Sequence, residues 1–205
     1  MEDCVFCDRA KFEERIVGEN EYFFIVATLG QISNGGYVLL IPKRHVCCLG
    51  AMEEYEVEYL EAAQKKISAA LSKEYTVGSL TVFEHGILGQ TIKHAHLHYL
   101  PEACSITERI RRGFPGNEIS IILSLSELQR LYKEKQEPYL FWTDSGREMN
   151  VCWNPFSVPP QYLRLIIAEA LGRPERGNWR NMDPELDKRL IRETILRLKP
   201  YFLKP

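Results

Sequence analysis

The sequence predicts an α+β fold in which an antiparallel sheet carries one long helix on one face, followed by a small mixed α/β C-terminal region. The sheet is indicated by short runs of aromatic and β-branched residues, each of strand length and bounded by turn residues. In the first half of the chain these runs lie at 22–27, 37–41, 79–84 and 94–100. The helix is indicated by apolar residues at three- and four-residue spacings between Glu53 and Glu74.

Local signals justify the elements of the first half. The turn Ser-Asn-Gly-Gly at 33–36 predicts that the first two strands form a hairpin. The strand at 79–84 is expected to pair with the strand at 94–100, which holds three histidines. In the predicted helix, acidic residues crowd the first half and lysines follow, an order that suits the helix dipole. The helix is therefore expected to pack on the sheet.

The second half predicts further strands and helices. Strands are expected at 118–123, 139–142 and 149–153, with a turn at 144–146, and helices at 124–135, 159–171 and 184–198. Ser124 is the predicted N-cap of the first of these helices, and Gly172 ends the second. Residues 108–113 form a basic patch.

Composition and charge argue against two classes of partner. The 205 residues carry a formal net charge of −2 and the sequence pI is near 6.2, so broad electrostatic binding to DNA or to anionic membranes is not expected. No apolar run approaches the roughly 20 residues of a membrane span, and the first residues are acidic where a signal peptide would be basic. We therefore predict a cytoplasmic protein whose six cysteines are mostly reduced.

Three of the five histidines, His94, His96 and His98, lie at alternate positions. Successive side chains of a strand point to opposite sides, so the three imidazoles line one face and the apolar residues between them line the other. A solvent-facing strand gains nothing from histidine that Thr or Lys would not supply, and this face is predicted to bind or react with a ligand. The preceding Gln90 and Thr91 can form a turn whose polar groups hold an anion at the start of the face.

A Cys-x-x-Cys pair, Cys4 and Cys7, precedes the first predicted strand. Such a pair is half of a zinc site or a redox couple. A redox couple requires a thioredoxin-like βαβ context, and the strands and turns that follow favour zinc instead. A closed tetrahedral zinc site needs two more ligands. The candidates are the five histidines, His45, His85, His94, His96 and His98.

The segment from His94 to Leu100, His-Ala-His-Leu-His-Tyr-Leu, resembles the histidine-triad signature of the HIT nucleotide hydrolases and transferases. The run 36–45, which ends in Pro-Lys-Arg-His, is similar to a strand of the same family. The resemblance implies a HIT-like antiparallel sheet with the middle histidine, His96, as the nucleophile. In metal-binding members with an N-terminal Cys-x-x-Cys, the histidine that ends this strand and the first histidine of the triad complete a zinc site. Carried over, a structural Zn²⁺ is expected at Cys4, Cys7, His45 and His94.

The resemblance also assigns the other site residues. His98 and Thr91 are expected to act beside His96 as catalytic residues, because they can hold the phosphate oxygens and the leaving group. Glu84 stands where many HIT enzymes have the asparagine of an Asn-x-Gly motif, and His85 is expected to face the other way and to be structural. The residues expected to bind the nucleotide are Gln90, Thr91, Glu84, Asn34 and His98.

The chain departs from the family pattern at Tyr37, where many members have a histidine buried behind the nucleophile. Residues 158–164 and 171–181 resemble the C-terminal segment of CwfJ-type proteins, which pair a HIT-like domain with such a tail. We therefore expect a HIT domain over 1–105 and a C-terminal extension, 106–205, packed on the HIT core. HIT proteins typically pair, which implies a homodimer.

Together these features predict a hydrolase acting at the α-phosphorus of a nucleoside phosphoanhydride or phosphoramidate, for example a dinucleoside polyphosphate. The reaction is expected to pass through a nucleotidyl-His96 intermediate. His98 favours a hydrolase, because glutamine replaces that histidine in the transferase branch. Two alternatives stay open, a nucleotide- or RNA-binding module that acts through a protein partner and a nucleotidyltransferase. A purely zinc-stabilised structural domain would not need His96 and His98.

Overall fold

The computed structural model describes residues 4–144 and 148–202. The acidic residues 1–3 and most of the predicted turn at 144–146 lie outside the described residues. The strands of the described ranges are β1 (Ile16–Glu19), β2 (Phe23–Ala27), β3 (Val38–Pro42), β4 (Thr81–Gly86), β5 (Leu97–Leu100), β6 (Ile119–Ile122), β7 (Tyr139–Asp144) and β8 (Glu148–Trp153). The helices are α1 (Glu54–Tyr75), α2 (Thr107–Gly113), α3 (Leu125–Lys135), α4 (Tyr162–Ala170) and α5 (Pro184–Phe202).

All of these strands join in one antiparallel sheet, in the order β1-β2-β3-β5-β4-β7-β8-β6. The predicted α+β class is confirmed, as are the β2–β3 hairpin and the pairing of β4 with β5. The second half of the chain continues the sheet of the first half, because β7 pairs with β4 from Phe83↔Trp142 to Gly86↔Tyr139. The division into domains at residue 105 stays a prediction.

Helices cover both faces of the sheet, which is why β2 and β3 are buried along their whole length. One core cluster, the first core, contains residues of α1, α3 and α5. The other, the second core, contains residues of α2 and α4 together with Phe6 and Phe12 from the N-terminal segment. A strand between two such cores presents alternate side chains to each of them.

The long helix α1 begins one residue after the predicted position and packs on the first core. Val57, Leu60, Ile67 and Leu71 are each at most 2% exposed, so the spacing that predicted the helix also identified its buried face. At its N-terminus the backbone N–H of Glu53 donates to a carboxylate oxygen of Glu56 at 2.8 Å. This bond satisfies a donor that the helix itself leaves unpaired.

Two short elements were not predicted, and one predicted strand begins later than expected. The sequence did not predict β1 or α2, which are four and seven residues long and therefore carry little periodicity. The strand expected from residue 94 begins at Leu97, because the backbone N–H of His94 bonds back to Ile92 O and that of Ala95 bonds to Val46 O outside the ladder. Across 4–144 and 148–202, no helix is both long and apolar enough to cross a membrane.

Candidate functional site

The histidine segment has the two faces that the alternation predicted. Ala95, Leu97 and Tyr99 are fully buried in the first core. His96 and His98 lie on the opposite face, where their ring centroids are 4.8 Å apart. The apolar residues hold the segment against the sheet, and this leaves the imidazoles to line the site.

The predicted metal ligands come together at the start of this segment. The ligand atoms of Cys4, Cys7, His45 and His94 all lie within 4.8 Å of one another. His94 Nδ1 is 3.4 Å from Cys4 Sγ and 3.5 Å from Cys7 Sγ, and His45 Nδ1 is 3.3 Å from Cys7 Sγ. The cluster joins three parts of the chain, the turn at 4–7, the segment after β3 and the segment before β5.

This cluster fits a four-coordinate zinc ion. Two thiols and two imidazoles are a common structural zinc set, and separations of this size suit donors around one small cation. The Nε2 atom of His94 donates to the carbonyl oxygen of Pro42 at 2.9 Å, so the Nδ1 lone pair faces the thiols. Burial lowers the pKa of His94, which favours the neutral imidazole that a metal requires.

His96 is oriented by the backbone of its own segment. Its Nδ1 atom lies 2.6 Å from the carbonyl oxygen of His94, and because a carbonyl only accepts, Nδ1 carries the proton. Its Nε2 atom therefore holds a lone pair. Burial lowers the pKa of His96 to about 4, so the ring is neutral near pH 7. Phe6 packs against the ring edge with centroids 5.2 Å apart.

His98 is held by aromatic packing and by a buried hydroxyl. Its ring stacks on Phe83 with centroids 4.2 Å apart and an interplanar angle of 5°. Its Nδ1 atom lies 2.6 Å from the hydroxyl of Tyr37, which also accepts a hydrogen bond from Arg164 Nη1 at 2.9 Å. Tyr37 thus fills the place behind the triad with a phenol, and the phenol contacts His98. Burial lowers the pKa of His98, which keeps this imidazole neutral as well.

The side chains of Glu84 and His85 lie on opposite faces of β4. The Glu84 carboxylate is fully buried and accepts hydrogen bonds from Leu49 N at 2.8 Å and from Tyr139 Oη at 2.5 Å. This carboxylate is directed toward the first-core side of the sheet and does not line the cavity beside the triad, so the geometry does not favour its expected role in nucleotide binding, which stays a prediction. His85 lies on the triad side, with its ring centroid 6.1 Å from that of His98, and its Nε2 accepts from Leu163 N at 3.0 Å.

A cavity of about 430 Å³ opens beside His96 and His98. Its wall includes four cationic side chains, and within the described ranges no Asp or Glu belongs to its lining. The cations come from both ends of the chain and are Lys11, Arg15, Arg164 and Arg180. Arg15 is only 8% exposed, and among the described residues no carboxylate lies within ion-pair distance of it. A cavity lined in this way suits an anionic ligand.

Of the other predicted binding residues, one lines the cavity and two do not. Thr91 lines the cavity, and its contact with a phosphate stays a prediction. Gln90 and Asn34 are not part of the lining, and each is engaged elsewhere. Gln90 Nε2 donates to Cys47 O at 2.9 Å, and Asn34 Oδ1 accepts from Arg176 Nη1 at 3.0 Å. This geometry does not favour their expected contact with a nucleotide, which stays a prediction.

Of the lining residues, sequence reasoning named only Thr91, His96 and His98, and among those it missed Arg164 is the most informative. Arg15, Trp179 and Arg180 gave no pattern that separates them from surface residues. Arg164 did give one, because it is the single charged residue among the apolar side chains 162–168 of α4. A charge on the buried face of an apolar helix needs a partner and points to a site.

Comparison with known proteins supports the HIT family for the N-terminal half. Residues 9–104 match the family model of the HIT domain. An uncharacterized HIT-like protein of Mycoplasma genitalium is 27% identical over 103 residues, which cover 48% of this chain and 72% of that protein. A nitrilase and fragile histidine triad fusion protein of Caenorhabditis elegans is 32% identical over 127 residues, which cover 61% of this chain and 25% of that protein.

Among solved structures, a Zn-bound histidine triad family protein from Mycobacterium smegmatis aligns with a TM-score of 0.42 and 24% identity. The alignment covers 49% of this chain and 76% of that one. The match at 9–104 contains the whole histidine segment and its alternating triad.

Proposed function

We propose that this chain is a HIT-type nucleotide hydrolase that cleaves at the α-phosphorus of a nucleoside phosphoanhydride or phosphoramidate. The observation that carries the proposal is the orientation of His96. Its Nδ1–H group donates a hydrogen bond to His94 O, with a distance of 2.6 Å between the nitrogen and the oxygen. Its Nε2 lone pair is therefore available beside a cavity lined with cations. A neutral imidazole fixed in this tautomer is a competent nucleophile toward phosphorus.

The proposed reaction has two steps. In the first, His96 Nε2 forms a bond to the α-phosphorus, and the bond from phosphorus to the leaving group breaks, with the electron pair departing on the leaving group. In the second, water adds to phosphorus and loses a proton to solvent, and the N–P bond breaks to return the Nε2 lone pair. The leaving group takes up a proton from solvent, which balances the one that water released, and the products are a nucleoside monophosphate and the protonated leaving group.

Other residues of the site hold the phosphate. His98 and Thr91 both line the cavity, and each can donate a hydrogen bond to a nonbridging or leaving-group oxygen. Lys11, Arg15 and Arg180 add positive charge to the same wall. These side chains carry more positive charge than a single phosphate group would balance. They therefore favour a substrate whose leaving group is itself anionic, as in a dinucleoside polyphosphate.

Zinc has a structural role in this proposal. Cys4, Cys7, His45 and His94 would hold Zn²⁺ with four protein ligands, so no position is left for substrate. The ion would fix the backbone at His94, whose carbonyl oxygen orients His96. A CwfJ-like role for the C-terminal part, a homodimer and a cytoplasmic location are further parts of the proposal and come from the sequence alone.

A substrate panel tests this function. Wild type, His96→Ala and His85→Gln would be assayed against dinucleoside polyphosphates, nucleoside phosphoramidates and nucleotide sugars. His85→Gln is the matched control, because its ring does not line the cavity and glutamine keeps an acceptor for Leu163 N. We expect turnover by wild type and the control but not by His96→Ala. Nucleotide binding without turnover by wild type would instead favour the binding module.

A further inference from the structure

Arg164 is a buried cation without an acidic partner. Its residue is 4% exposed, and no carboxylate among the described residues pairs with it at ion-pair distance. Its guanidinium donates to Gly30 O at 2.7 Å, to Gly177 O at 3.2 Å and to the hydroxyl of Tyr37 at 2.9 Å. Two of these partners are backbone carbonyls, and the third, the Tyr37 hydroxyl, also contacts His98 of the triad.

The bond from Arg164 fixes the direction of the Tyr37 proton. A guanidinium can only donate, so the Tyr37 oxygen is the acceptor in that pair. The phenolic proton is then free to point at the other neighbour, His98 Nδ1, which lies 2.6 Å away. Tyr37 is fully buried, and burial raises its pKa to about 12, so the phenol keeps its proton across the ordinary pH range.

The same reasoning fixes the tautomer of His98. If Nδ1 accepts from Tyr37, then the ring proton of the neutral imidazole is on Nε2. His98 Nε2 is buried and has no hydrogen-bond partner within the described residues. His98 also lines the cavity beside His96, so this unpaired donor belongs to a residue of the wall that the substrate would contact. An unpaired buried donor is costly unless a ligand satisfies it.

We propose that Arg164 and Tyr37 are positioning residues that hold His98 as the Nε2–H tautomer, so that it presents a hydrogen-bond donor to the substrate. The role of that donor in turnover rests on the proposed hydrolase function. The hydrogen-bonded series Arg164–Tyr37–His98 connects helix α4, the residue that precedes β3, and strand β5, so the C-terminal part of the protein acts on the triad through Arg164. Neither positioning residue is required to touch the reacting phosphorus.

The tautomer is measured directly in the ligand-free protein. Long-range ¹H–¹⁵N correlation spectra of ¹⁵N-histidine-labelled protein separate a protonated Nε2 from a protonated Nδ1. We expect wild-type His98 to show only the Nε2–H form, and Tyr37→Phe to show the Nδ1–H form or a mixture. The matched control is Tyr99→Phe, because the Tyr99 hydroxyl is buried without a partner in the described residues and lies on the opposite face of β5. It should leave the His98 signals unchanged.

Kinetics supply the second readout. With the best substrate of the panel, Tyr37→Phe should lower kcat about tenfold, the effect of weakening one hydrogen bond in the transition state, with KM nearly unchanged.

Arg164→Met should shift the His98 tautomer in the same direction as Tyr37→Phe does, and Tyr37→Phe keeps the test available if the Arg164 variant does not fold. A wild-type Nδ1–H tautomer, or unchanged His98 spectra in Tyr37→Phe, would overturn the inference. Absence of any hydrolysis would count against the proposed function alone, because the spectra are recorded without substrate.

Discussion

The carbonyl oxygen of His94 accepts a hydrogen bond from His96 Nδ1 at 2.6 Å, and the side chain of the same His94 belongs to the cysteine–histidine cluster. One residue therefore connects the predicted zinc site to the predicted nucleophile. Its imidazole is fixed from both sides, by Pro42 O and by the cluster. A metal bound there would stabilise the backbone that selects the tautomer of His96.

The first prediction concerns this metal. Protein prepared without chelator should contain one zinc per chain, and Cys4→Ser should lose most of it and unfold at a lower temperature, because a structural site contributes directly to folding. Elemental analysis and thermal unfolding measure both effects. Cys47→Ser is the control, since Cys47 is exposed and lies outside the cluster. Unchanged zinc content in Cys4→Ser would show that the cluster is not a metal site.

The second prediction ranks the residues of the cavity. His96→Ala should lose activity by several powers of ten, since it removes the nucleophile. His98→Ala and Thr91→Ala should each cost roughly 2 to 4 kcal/mol at most, since each removes one hydrogen bond to a charged oxygen. Ratios of kcat/KM give these values. A His98 or Thr91 variant that is as inactive as His96→Ala would mean that the ranking is wrong.

The third prediction concerns acid stability. Burial lowers the pKa of His85 to about 3, whereas the pKa of histidine in the unfolded chain is about 6.5. Between these values the unfolded chain binds a proton that the folded chain does not. The free energy of unfolding should therefore fall as the pH falls through this window, by up to about 1.4 kcal/mol per pH unit for this group.

His85→Gln isolates this contribution. Glutamine can still accept from Leu163 N but cannot titrate, so the variant should lose stability less steeply between about pH 6.5 and pH 3. Denaturant unfolding at several pH values measures the slope. All other titratable groups are the same in the two proteins, so the difference between the two slopes reports His85 itself. Equal slopes would contradict the assignment of a buried, neutral His85.

The fourth prediction concerns the contact between Gly30 and the C-terminal part. Gly30 has a φ of 70°, and a Cβ there would lie 2.4 Å from Trp179 Cβ and 2.7 Å from Arg164 Nη2. Gly172 has a φ of 72° but has open space around the same position. Both alanine variants share the backbone strain, and Gly30→Ala should lose about 1 to 3 kcal/mol more because of overpacking. Equal losses of unfolding free energy would show that Trp179 and Arg164 are not packed on Gly30.

Much of the fold could be predicted because its signals are local. The helix α1 is long enough for its apolar period to be clear, and the β2–β3 hairpin is marked by a Gly-Gly turn. The strand β1 was not predicted, since four residues that include Gly18 give almost no pattern. The pairing of β4 with β7 could not be predicted from the sequence of either strand. Pairing between strands more than fifty residues apart depends on the whole fold.

The same difference between local and long-range signals applies to the site. The triad and the Cys-x-x-Cys pair are short motifs, so His96, His98 and the four cluster residues could be named from the sequence. The hydrogen bond from Arg164 to Tyr37 joins residues 127 positions apart, so no local sequence pattern could predict it. Glu84 was given a binding role from its position in a motif, yet the pleat of β4 directs it to the opposite face from His85.

The central claim is that His96 becomes covalently nucleotidylated during turnover. It is tested most directly by acid quench of wild type with an adenylated substrate, followed by mass spectrometry of the peptides. We expect an adduct of nucleotide mass on the peptide that contains His96, located on that residue by fragmentation and absent from His96→Ala. Full activity of His96→Ala, or an adduct located on another residue, would contradict the claim.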